Sequence, residues 1–184
     1  MADSRRNELL DLAYAYVCEH GLSDLSLRPL AAAIGSSPRV LLFLFGSKEE
    51  LVKALLARAR TDELALLATL GTPDGLPAAA EAVWGWLSDE AHRPLLRLWL
   101  EAYARSTADS APGPWSGFAS ATVADWLAVL EKAAPSAGPA QLTAVLAILR
   151  GALLDLLATG DTTRTTAAVQ LSLGAVPNGA FTTG

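Results

Sequence analysis

Gly21, Ser26, Gly35, Ser37, Gly46 and Ser47 punctuate the first fifty residues at short, regular intervals. Glycine closes a helix because it enters the left-handed region past the last turn without steric cost. Serine opens one because its hydroxyl accepts from a free first-turn amide. The spacing predicts a helix from about Arg5 to His20, closed by Gly21, with Leu9, Leu12, Ala13, Tyr16 and Val17 on one apolar stripe. A short helix over Ser26–Ile34 comes next, capped by Ser26 and closed by Gly35. Ser37 then caps a third, Pro38 to about Phe45, with proline at the favoured first position and Gly46 as the stop. Ser47 and Glu50 form an S-x-x-E capping box that opens a long fourth helix over 47–70.

The remainder of the chain is also helical by composition. The 184 residues hold 36 Ala and 34 Leu against 9 Val and 2 Ile. Alanine and leucine favour helix, whereas strands draw on β-branched and aromatic residues. This excludes a β-sandwich or barrel and argues against a central parallel sheet. Helices are expected near Pro77–Ala91, Pro94–Ser106, Trp115–Ala134, Ala140–Thr159 and Thr162–Leu173, for about nine in an all-α fold. Gly71–Gly75, Ala111–Pro114 and Pro135–Pro139 are the breaks, and 174–184 reads as a flexible tail.

The mean hydropathy of +0.32 is high for a chain without a membrane segment, which points to a subunit interface or an apolar cavity. Leu142–Gly160 has the length of a membrane span, but Arg150 and Asp155 fall near its middle, where charge is costly in lipid. A helix buried by its own chain and by a second copy is the better reading. The amino terminus is too polar for a signal-peptide core, so the cytoplasm is the expected location. Charge divides unevenly: residues 1–60 carry eight Lys/Arg and seven Asp/Glu, residues 61–184 six and twelve. The two parts are expected to do different jobs. A single cysteine, Cys18, excludes an intrachain disulfide and a multi-cysteine zinc site, and it reads as a small core residue. No GxGxxG, P-loop, HExxH or nucleophile-elbow motif is present, so neither an enzyme nor a cofactor is expected.

Ser26–Ile34 and Ser37–Phe45, joined by a tight turn, have helix-turn-helix spacing, and the second such helix enters the DNA major groove. At about 100° per residue, Leu41, Leu44 and Phe45 share a face and should pack on Leu30, Ile34 and the first helix. Arg39 and Phe43 then lie on the opposite face, flanked by Val40 and Leu42. Arg39 is the base-reading candidate, because a guanidinium can grip guanine through two hydrogen bonds. Phe43 and Val40 suit thymine methyls. The capped helix starts at Ser26 and at Ser37–Pro38 favour phosphate.

The residues also carry a resemblance. Arg-Arg-Asn-Glu-Leu-Leu-Asp-Leu-Ala at 5–13, Glu19-His20-Gly21, Leu25–Ala31, Ile34–Ser37 and Phe45–Leu51, in that order and spacing, resemble the DNA-binding domain of the tetracycline-repressor (TetR) family. Leu95–Glu101 and Leu149–Asp161 look like segments of one branch of it, so the similarity covers most of the chain but is strong over the first sixty residues. The resemblance implies a homodimer that sets one reading head on each half of a palindromic double-stranded operator. It also implies a carboxyl-terminal domain that holds a small ligand, whose binding releases DNA. It places Ser26, Arg28 and Lys48 at phosphate-contacting positions. It implies domains at 1–50 (DNA-binding) and 51–173 (ligand and dimerisation), joined through the helix at 47–70. The chain departs from the family where threonine, tyrosine and histidine are usual: Val40, Leu42 and Leu44 stand there instead.

All five tryptophans fall after residue 61. An apolar or aromatic ligand is expected, and Trp84, Trp99, Tyr103, Trp115, Phe118 and Trp126 are the candidate lining. Trp99 and Tyr103 share one helix face; Trp115, Phe118 and Thr122 share another. For any single tryptophan, plain core filling competes with this role. The last two helices are the candidate dimer interface, through Val145, Ile148, Leu149, Ala152, Leu153, Leu156, Ala168 and Leu171, with Gly151 marking a close backbone approach. The expected function is a ligand-responsive repressor. The rival is a TetR-like ligand- or partner-binding module whose apolar third helix no longer reads DNA.

Overall fold

The computed structural model describes residues 2–22, 24–68, 73, 75–108 and 113–174. Most of the break at Gly71–Gly75, the first half of Ala111–Pro114, the end of the helix expected at 47–70 and the tail from 175 lie outside them. Among the described residues there is no strand. The helices are α1 (Ala2–His20), α2 (Leu27–Ala33), α3 (Pro38–Phe45), α4 (Lys48–Ala68), α5 (Leu76–Ser88), α6 (Arg93–Ala108), α7 (Phe118–Ala133), α8 (Pro139–Thr159) and α9 (Thr162–Gly174), with a 3-10 turn at Glu90–His92 before α6.

Two differences from the expected boundaries have local causes. α1 begins a turn early, with Asp3 in its first turn, where a carboxylate favours the helix start. α7 begins late, because a closed turn precedes it: the Ser116 amide donates to the Gly113 carbonyl at 3.1 Å and the Gly113 amide to Ser116 Oγ at 2.8 Å. Trp115 therefore lies in that turn and not on a helix face with Phe118 and Thr122.

By packing, the chain forms two compact units, and each draws on two stretches of sequence. Residues 1–63 and 94–122 make the first, residues 64–93 and 123–184 the second. In the first, α1, α2 and α3 pack together around Leu9, Ala13, Val17, Leu30 and Leu41. In the second, α5, α8 and α9 pack together around Ala80, Val83, Leu149, Leu156 and Val169. α8 is long and apolar enough to cross a membrane, but Leu142, Val145, Leu146, Leu149, Leu153 and Leu156 on it are buried in this core.

Candidate nucleic-acid interface

α2 and α3 meet at 102°, across the turn from Ile34 to Ser37. The turn closes with two capping bonds past α2: the Ser36 amide donates to the Ala31 carbonyl at 2.8 Å, and the Gly35 amide to Ala32 at 3.4 Å. Gly35 sits at φ +64, which a Cβ would strain, so the residue is there for the turn itself. Ser37 then caps α3, its Oγ accepting the Val40 amide at 3.3 Å. Ser26 holds the extended N-cap backbone of α2, yet its hydroxyl makes no capping bond. The residue type located that helix start; the hydroxyl is spare, exposed beside Arg28.

The sequence geometry of α3 holds at its anchors. Leu41 and Phe45 are buried, and the Arg6 guanidinium lies 4.8 Å over the Phe45 ring. Leu44 is half-buried. Arg39 is exposed, and Val40, Leu42 and Phe43 are 39%, 42% and 83% exposed. Pro38 is half-buried at the first turn; Lys48 is exposed at the start of α4. Neither Arg28 nor Arg39 enters an ion pair among the described residues, so both cations are available. The Ser47 hydroxyl caps α4, accepting the Glu50 amide at 3.1 Å.

Two side-chain clamps that the sequence did not suggest fix α1. On α4, Arg58 pairs with Asp11 at 3.1 Å and with Asp62, and lies 5.5 Å over the Tyr14 ring. Burial pushes the Tyr14 hydroxyl well above its usual range, and Cys18 and Asp62 beside it act in the same direction. Burial also raises the Cys18 thiol, which leaves it protonated and unreactive near neutral pH. At the end of α1, Glu101 on α6 accepts the Leu22 amide at 2.9 Å.

The proposed ligand residues divide between the units. In the first, Trp99 packs against Tyr103 with ring centroids 5.1 Å apart, and Trp99 is buried. Trp115 lines a depression of about 200 Å³ with Lys48, Arg105 and Leu22; Phe118 lines another of about 230 Å³ with Leu56 and Ala57. In the second unit, Trp84 is buried and donates through Nε1 to Thr166 Oγ1 at 2.9 Å. Trp126 is buried 6.1 Å from Trp86, and His92 stacks on Trp86 at 4.6 Å while its Nδ1 donates to the Trp86 carbonyl at 2.8 Å. No group of three or more His, Cys, Asp and Glu is placed to hold a metal among the described residues.

On α8, Val145, Leu149, Leu153 and Leu156 are buried inside their own unit, at 2% exposure or less. A fully buried side chain cannot meet a second copy, so these four are core and not interface residues. Ile148 and Ala152 are half-buried, while Ala168 and Leu171 on α9 are exposed, Leu171 at 79%. The outward stripe of α8 is Ala144, Ala147, Gly151, Leu154 and Ala158, at helical spacing. Gly151 was the available signal for it. Asp155, near the end of α8, forms a two-bond pair with Arg164 at 2.6 and 2.7 Å.

Residues 9–55 match the family model of bacterial regulatory proteins, tetR family. Three solved structures share the fold over nearly the whole chain. EbrR, a multidrug binding protein complexed with imidazole, is 22% identical with a TM-score of 0.71, covering 96% of this chain and 92% of its own. A TetR-family member from Streptomyces coelicolor A3 is 22% identical at 0.69, covering 94% and 98%. SmeT, solved with triclosan, is 22% identical at 0.66, covering 98% and 96%. No curated protein matches the chain by sequence.

Proposed function

Because residues 9–55 match the family model of bacterial regulatory proteins, tetR family, we propose that the chain is a ligand-responsive transcriptional repressor of that family. Residues 1–50 read DNA, and 51–173 hold a ligand and join two copies, with the segment 47–70 between them. The observation that carries this reading is α3: anchored on one face by Leu41 and Phe45, set at 102° to α2, and turning an unpaired Arg39 outward. Arg39 addresses base edges, while Ser26, Arg28, Ser37 and Lys48 address phosphate.

Dimerisation proceeds through the outward stripe of α8 with Ala168 and Leu171 of α9. Small residues on a long helix let two backbones approach closely, and two such helices from each copy make a four-helix bundle. The ligand is a small apolar or aromatic molecule, in keeping with the imidazole and triclosan held by EbrR and SmeT. Such a ligand releases DNA only if it binds the DNA-incompetent arrangement more tightly. No membrane is involved, and the protein acts in the cytoplasm.

Selection of bound fragments from random duplex DNA by the purified full chain tests the reading. Enrichment of a palindrome is expected. The second reading, a binding module without an operator, draws on the 83% exposure of Phe43. No enrichment at low salt, where phosphate attraction is strongest, selects it instead.

A further inference from the structure

The outward face of α3 is short of hydrogen-bonding groups. Val40, Leu42 and Phe43 offer none, and the Val40 amide is already bonded to Ser37 Oγ. Arg39 alone among the outward side chains of that helix carries donors. Adenine is read through paired donors and acceptors on an amide side chain, and cytosine through a carboxylate; α3 has neither. Two major-groove features remain legible to it: guanine O6 and N7 through Arg39, and the C5-methyl of thymine through apolar contact.

We propose that α3 recognises its half-site by methyl groups: one guanine gripped by Arg39, with neighbouring thymines whose C5-methyls pack against Leu42, Phe43 and Val40. The proposal rests on the reading of α3 as a DNA-contacting helix, and it names what that helix reads. Three observations favour DNA over a protein as the occupant of the patch. Its three apolar side chains sit on one eight-residue helix, far below the roughly 1,000 Å² that a stable protein interface buries. An unpaired guanidinium stands beside them. The 102° crossing of α2 and α3 is the geometry that presents a helix to the major groove. Leu41 and Phe45 anchor the helix that carries the patch.

The consequence is separable from base pairing. Deoxyuridine pairs as thymine does but lacks the methyl. The bound site is first obtained by selection from random duplexes. Each half-site thymine is then replaced by deoxyuridine, and binding of the full chain is followed by fluorescence anisotropy at fixed salt. Affinity is expected to fall about fourfold for each methyl in contact, the factor corresponding to one buried methylene-sized group. Phe43→Ala and Leu42→Ala, both at exposed positions and with the fold checked by circular dichroism, are expected to bind the two duplexes with converging affinities. Arg39→Ala is expected to keep the thymine–uracil difference while losing the guanine preference. Equal binding of thymine and uracil duplexes by the unmodified protein overturns methyl reading and leaves DNA binding standing. Failure to enrich any duplex overturns both and gives the patch to a protein partner.

Discussion

α3 and α8 are both overwhelmingly apolar and both bury large side chains, yet they turn side chains of different size outward. α3 buries Leu41 and Phe45 and turns Val40, Leu42 and Phe43 outward. α8 buries Leu142, Val145, Leu146, Leu149, Leu153 and Leu156 and turns Ala144, Ala147, Gly151 and Ala158 outward, with Leu154 at 48% the one large exception. The difference stems from what each face can dock against. Large side chains on a short, convex helix reach into a groove. Small ones along a 21-residue helix admit a second helix at close range. Apolar character alone therefore says little about a partner; the size of the outward residues and the length of the helix carry the information.

The comparison breaks first on α8. Leu149→Ala is expected to lower the unfolding free energy by about 2–5 kcal/mol, because the lost contacts and the cavity add together. Leu154→Ala is expected to stay within about 0.5 kcal/mol for the isolated subunit. A dimer's melting temperature rises with protein concentration. Leu149→Ala should lower it at every concentration alike, whereas Leu154→Arg should lower it most where the dimer is otherwise full, with monomer visible by sedimentation. If the two leucines behave alike, the division of α8 into core and partner faces is wrong.

That division was not legible in the sequence. Leu, Ala and Val occupy so much of 139–159 that every face of the helix reads as apolar, and Leu153 and Leu154 differ only by the 100° turn between them. Packing against α5 and α9 decides which is buried, and the α5 contacts span a long separation in sequence. The first fifty residues were legible because their signals are local: glycine and serine fix helix ends within a few residues, and the ends in turn fix which face of α3 points out. The same limit explains the tryptophans. The sequence offers Trp84 and Trp126 as ligand lining, with core filling as the alternative, and does not show that Thr166 and Trp86 lie against them.

On α3 the expected effect is smaller and concerns recognition. Arg39→Ala should cost about 1–3 kcal/mol at a single base position and relax preference there, while Lys48→Ala, at a proposed phosphate contact, should weaken all sequences alike. Competition binding against single-base variants of the selected operator separates the two patterns. Uniform weakening by Arg39→Ala would place that side chain on phosphate.

The two serines before α2 and α3 sharpen the contrast between residue type and use. Ser37→Ala removes a bond to the Val40 amide and is expected to cost about 1 kcal/mol in chemical denaturation. Ser26 makes no such bond, and Ser26→Ala should cost only a few tenths of that while reducing DNA affinity. A loss of stability at Ser26 equal to that at Ser37 would mean that the hydroxyl caps after all.

The smallest effect belongs to the end of α8. Arg164 holds the Asp155 carboxyl below the usual carboxylate range, chiefly by hydrogen bonding to it and with its charge in support. A carboxyl depressed in the folded state adds stability above its unfolded pKa of about 3.9 and loses it as pH falls through the lower folded value. The pair is solvent-exposed, and screening keeps its contribution small. Arg164→Ala should therefore leave the acid limb of the stability curve slightly shallower below about pH 4, with almost no change in the position of α8, since Leu149, Leu153 and Leu156 hold that helix from its other face. The expected insensitivity to that ion pair is the counterpart of the sensitivity expected at Leu149: on α8 the inward face determines stability, and the outward face is free to serve a partner.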